Sequence, residues 1–101
     1  MKIRIVRRSE TVEYAVEELI KYLRTMTEGR LLPMLEIVES FDLPIQDDAI
    51  ALGLLEELSL DASDVEDPVA DDVIDVDVKN GVGYIAGSNE RSILMGVYKY
   101  C

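Results

Sequence analysis

Ile74-Asp75-Val76-Asp77-Val78-Lys79-Asn80-Gly81-Val82-Gly83-Tyr84-Ile85-Ala86-Gly87-Ser88-Asn89 is the stretch on which the fold turns. Ile74, Val76 and Val78 alternate with Asp75 and Asp77, which spells a strand with one apolar and one wet face. Asn80-Gly81 follows. A type I′ turn needs positive φ at both central positions, so this pair reverses the chain into a second strand, Val82–Ala86. After Gly87, either Ser88 or Asn89 can cap a last helix. Its inward stripe reads as Leu94, Val97, Tyr98 and Cys101. Gly96 costs that helix about 1 kcal/mol relative to alanine, which points to close approach of a neighbouring backbone.

Working back toward the N-terminus, Lys2–Val6 alternates as a first strand and lacks the continuous apolar run of a signal peptide. Ser9 stands at an N-cap position, with Glu10 and Glu13 near the positive end of a helix dipole. Val12, Ala15, Val16, Leu19, Leu23 and Met26 then recur at helical spacing, and Gly29 is the natural stop. Leu35–Val38, beyond Pro33, reads as a second strand. Ala49–Leu54 is a near-continuous apolar run and suits a strand covered on both sides. Glu39–Asp48, with Pro44, is a connection, and Asp61–Asp72, with Pro68, is an acidic and mobile surface loop.

The resulting order is β-α-β-β-β-β-α. It describes an α/β (α+β) fold, a mixed sheet of about five strands with two helices. One parallel pairing is expected from the return after the first helix, and one antiparallel pairing from the hairpin. At 101 residues the chain makes one domain. Its last helix has no terminator and stops at Cys101 on the apolar stripe, so residues 1–101 read as a domain excised from a larger protein.

Composition narrows the function classes. There is no histidine, the commonest general base and zinc ligand, and Cys101 is the single cysteine. Residues 31–78 hold fifteen acidic residues and no basic one, within a net charge of −11. A field of that sign repels nucleic acid and anionic membrane surfaces alike. No apolar run reaches the roughly 18 residues needed to span a bilayer. The expected partners therefore include neither nucleic acid nor membrane.

Several residue groups have the chemistry of a site. Asp61, Asp64, Glu66, Asp67, Asp71 and Asp72 are hard oxygen ligands, but the tract lacks the glycine of a calcium-binding loop, and a solvated loop explains it as well. Asp75 and Asp77 share a polar strand face, which accounts for them without a catalytic pair. Gly87-Ser88-Asn89 resembles an anion seat at a helix N-terminus, yet lacks the lysine and glycines of phosphate-binding loops. Neither catalytic residues, cofactor nor metal are assigned. Tyr14, Glu18 and Tyr22 form a second stripe on the first helix, at i, i+4 and i+8. With Tyr98 and Tyr100 they are the candidate interdomain contact, the alternative being that the rings extend the home core.

Three segments carry a family likeness: Ala15-x-x-Glu18-Leu19-x-x-Tyr22-Leu23, Ile50-Ala51-Leu52-Gly53, and Tyr84-Ile85-Ala86-Gly87-Ser88-Asn89-x-Arg91-Ser92-Ile93-Leu94-Met95-Gly96-Val97-Tyr98-Lys99-Tyr100. The chain resembles the small α/β domain that precedes the catalytic barrel in family 20 β-N-acetylhexosaminidases and family 67 α-glucuronidases. It is closer still to a bacterial group with a domain of unknown function after it. Relatives often carry tyrosine in place of Met95 and glycine in place of Ser92.

The resemblance implies a mixed sheet with helices on one side, packed beside a (β/α)8 barrel that holds the acid and base residues, so no catalytic residue is carried over. It implies a non-catalytic accessory domain of a carbohydrate-processing glycoside hydrolase. The partner is then the catalytic domain of the same parent chain, through which carbohydrate would be met. The alternatives are a carbohydrate- or protein-binding module and a calcium-responsive module.

Overall fold

The computed structural model describes residues 2–30, 33–39 and 48–101. Its elements run β1 (Lys2–Ile5), α1 (Glu10–Met26), β2 (Met34–Ile37), β3 (Ala49–Leu54), β4 (Ile74–Lys79), β5 (Val82–Gly87) and α2 (Glu90–Tyr100). This is the expected order: an α/β fold of five strands and two helices. Pro44 and most of the expected connection around it lie outside the described residues.

The sheet runs β2-β1-β3-β5-β4. β1 lies parallel to both β2 and β3, and β3 lies parallel to β5. Three parallel pairings thus replace the one expected. The hairpin is the reason: β4 is an out-and-back arm at the edge, and its reversal delivers β5 alongside β3 in the same direction. β4 and β5 pair antiparallel through Asn80 and Gly81, whose φ values of 54° and 77° are those of the expected turn.

Side chains alternate across a strand, and the two faces of this sheet are packed differently. Ile3, Ile5, Ile50, Leu52 and Ile85 form one core with Val12, Ala15, Val16, Leu19 and Leu23 of α1 and Ile93 and Val97 of α2. Both helices therefore cover the same face. On the opposite face β3 and β5 present small residues, Ala51 and Ala86. Leu55 and Leu58 pack against them, with Leu60, Ala62, Val65 and Val73 partly buried around the edge. A side chain at Gly53 would sit 3.2 Å from Leu58 Cδ2, so the small surface lets an irregular segment do the work of a helix layer.

Ser9 caps α1 as its position suggests, its hydroxyl accepting from the Val12 N–H at 3.2 Å. At the other end Gly29 N–H reaches the Arg24 carbonyl at 2.8 Å and Glu28 N–H that of Thr25 at 3.3 Å, the paired bonds of a Schellman motif. Met26 was expected on the inward stripe, but it is 51% exposed. It lies in the last turn, past Leu23, where the helix has run beyond the part of the sheet it covers.

The last helix is rotated from its expected setting by about one residue. Its buried positions are Ser92, Ile93, Gly96 and Val97, whereas Tyr98 and Cys101 are exposed and Leu94 is half-buried. Gly96 decides this. A Cβ there would come within 2.7 Å of Ile85 Cγ2 and 3.2 Å of Ile74 Cγ2, so the glycine faces the sheet and brings Ile93 and Val97 with it. The close approach is to side chains, not to backbone as expected. Periodicity alone favours the largest apolar residues as the inward stripe, and here the inward position is held by the smallest.

Candidate interaction surface

α1 and α2 lie side by side, and the two groups of tyrosines singled out on them meet at a single seam. Tyr22 and Tyr100 stack edge to face there, with ring centroids 5.7 Å apart and planes at 75°. Both are partly buried against the helical core. An edge-to-face pair adds about 0.5–1.5 kcal/mol beyond its burial, so these two rings belong to the home core. The home-core reading of the stripe therefore holds for Tyr22 and, with it, for Tyr100.

Tyr14 and Tyr98 remain 46% and 51% exposed. The Tyr14 hydroxyl engages Tyr98 first and Glu18 second, and these bonds, together with the Glu18 charge, push its pKa well up. Glu18, Lys21, Tyr22, Thr25, Tyr98 and Cys101 line a shallow groove beside them. Met95 is also exposed and sits one turn before Tyr98 on α2. It was not singled out from the sequence, although its i, i+3 spacing to Tyr98 was legible. Partial burial, then the Glu18 charge, raise the Cys101 pKa, so its thiol stays protonated and weakly nucleophilic at neutral pH.

A second polar cluster gathers where the parallel strands end. Glu57 accepts from the Leu54 N–H at 2.8 Å and from Arg7 Nε at 3.1 Å, and Arg7 also reaches Glu90 at 3.3 Å. Burial would lower the Arg7 pKa, but the two carboxylates outweigh it and raise it. Ser88 donates to the Asp71 carbonyl and accepts from the Val73 N–H. Asn89 is the N-cap: its Oδ1 accepts from Ser92 N–H, while Nδ2 donates to the carbonyls of Pro68 and Asp71 and to Asp72. The groups that suggested an anion seat are thus engaged with the chain's own polar atoms, beside two carboxylates.

The acidic tract is laced by short-range hydrogen bonds. Asp71 Oδ2 accepts from the N–H groups of Glu66 and Asp67, and Asp61 accepts from Ser63 N–H, which lowers its pKa. Among the described residues no three of Asp, Glu and Cys gather closely enough to hold a metal ion. On β4, Asp75 accepts a 3.2 Å hydrogen bond from the Tyr84 hydroxyl. Burial, then the charges of Asp75 and Asp77, raise the Tyr84 pKa.

Hydrogen bonds from Arg91 and then from Asn89 hold the Asp72 carboxyl below the usual carboxylate range. A group whose pKa is depressed on folding contributes stability above its unfolded pKa and loses it as pH falls through the folded value. Asp72→Asn is therefore expected to flatten the fall in urea midpoint between about pH 5 and about pH 2, while lowering the midpoint at pH 7. Parallel curves for the two proteins across that window would contradict the assignment.

No protein-family model matches this chain, and no curated protein matches its sequence. Among the described residues no helix is long and apolar enough to cross a membrane.

Proposed function

We propose that the chain is a non-catalytic accessory domain of a glycoside hydrolase-like protein, and that its helical face packs against the catalytic domain of the same parent chain. The observation that carries this reading is the exposed pair Tyr14 and Tyr98, which meet across the two helices, with Met95 also exposed on α2. Large rings and a thioether held at a helix surface suit burial by another protein surface, since they offer area at low entropic cost. The fold supports it too, because a mixed sheet with both helices on one face is the architecture that the resemblance implies.

Two measurements test the proposal. The purified domain should hydrolyse none of a panel of aryl glycosides, and turnover that co-purifies with the domain would refute it. The double variant Tyr14→Ser, Tyr98→Ser should change the stability of the isolated domain by no more than about 0.5 kcal/mol, as for exposed positions. A loss of about 2 kcal/mol or more would place both rings in the home core and remove the interface. Chemical-shift changes at Tyr14 and Tyr98 on adding oligosaccharides would instead assign the pair to sugar binding.

A further inference from the structure

Residues 61–73 carry six carboxylates and no Lys or Arg. Their apolar contribution to the second core is slight: Ala62, Val65 and Val73 are partly buried, and Val69 is exposed. Their side-chain ties to the α2 end of the chain converge on three residues at its start. Ser88 bonds Asp71 and Val73, Asn89 bonds Pro68, Asp71 and Asp72, and Arg91 bonds Asp72 at 2.8 Å and the Val69 carbonyl at 3.1 Å. The hydrogen bonds of Asp61–Asp71 to one another are local, within five residues.

Beneath this segment lies a cleft of about 140 Å³ lined by Leu54, Leu55, Ala62, Val65, Pro68 and Ser88. It sits over the C-terminal ends of β3 and β5, the end of a parallel sheet at which α/β folds place ligands. Leu58, fully buried in the preceding turn, packs against the sheet at Gly53, in one cluster with Ala51 and Ala86.

We infer that residues 61–73 form a strap, latched by Ser88, Asn89 and Arg91, that opens as a unit and uncovers the wall of this cleft formed by Leu54, Leu55 and Ser88, while the sheet and both helices stay folded. Such a segment has the marks of a low-stability unit: few buried apolar contacts, much exposed backbone, and attachment through one small polar cluster. Opening breaks the latch and leaves the helical core untouched.

Native-state hydrogen exchange on the intact chain tests the inference, with the amides of Val65, Asp71 and Val73 reporting on the strap and those of β1 and β3 on the whole fold. In the wild type the strap amides should be protected, but less than those of the sheet. Ile3→Val weakens only the core, so it should speed exchange in the sheet by about 2- to 10-fold and leave the strap unchanged. Arg91→Ala removes an exposed part of the latch and should speed strap exchange by about 3- to 10-fold. Strap amides that accelerate with Ile3→Val as much as the sheet does would show that the strap opens only on global unfolding, and would overturn the inference. So would strap amides unprotected in the wild type, or unaffected by Arg91→Ala.

Discussion

Gly87→Ala is expected to destabilise the domain by about 3 kcal/mol or more, a large share of the stability of a small domain. A Cβ at this position would lie 2.5 Å from Ser92 Oγ, 2.7 Å from the Ile93 nitrogen and 2.8 Å from the Ser92 carbonyl carbon. Two of those three atoms are helix backbone, which cannot turn aside as a side chain can. Nor can α2 retreat, because Ile93 and Val97 are buried in the core and Gly96 lies close against Ile85 and Ile74 of the sheet. Gly53→Ala is the control: its new methyl would meet the flexible end of Leu58 at 3.2 Å and should cost much less. Urea unfolding of both variants decides the matter, and equal losses would mean that the approach of α2 to β5 is looser than described.

Leu58→Ala is expected to cost about 2–5 kcal/mol, the range for emptying a fully buried leucine site. Leu58 has no exposed surface, although it belongs to an irregular turn and not to a helix or strand. It sits over Ala51, Ala86 and Gly53, where the strands present nothing larger, so a truncated side chain leaves a void that the sheet cannot fill. Val69→Ala, at a position 79% exposed, should be within about 0.5 kcal/mol of wild type. A loss below about 1 kcal/mol for Leu58→Ala would show that the second face of the sheet is no true core.

Much of this fold was legible because local rules wrote it. Ser9 and the period of α1, the apolar run of β3 and the Asn80-Gly81 reversal each report on a few neighbouring residues, and each stands where those rules put it. The α2 stripe was misread for a related reason. A period of 3.6 defines a stripe only up to the choice of its centre, and hydrophobicity favours Tyr98 over Gly96 when the shape of the facing sheet is unknown. What ties the acidic segment to the fold was not legible, because its partners, Ser88, Asn89 and Arg91, are some twenty residues away.

The candidate surface shows the same division. Helical spacing placed Tyr14, Glu18 and Tyr22 in one line, but it could not bring that line to one seam with the Tyr98 and Tyr100 end of α2. Nor could it say which rings would be shared with the core. The sequence by itself determined the element order, the turn and the Ser9 cap, since each depends on backbone preferences that act within a few residues. Only the tertiary structure decided the three parallel pairings, the rotation of α2, and the parting of Tyr22 and Tyr100 from Tyr14 and Tyr98. Those depend on which surfaces meet, and a surface is assembled from residues far apart in the chain.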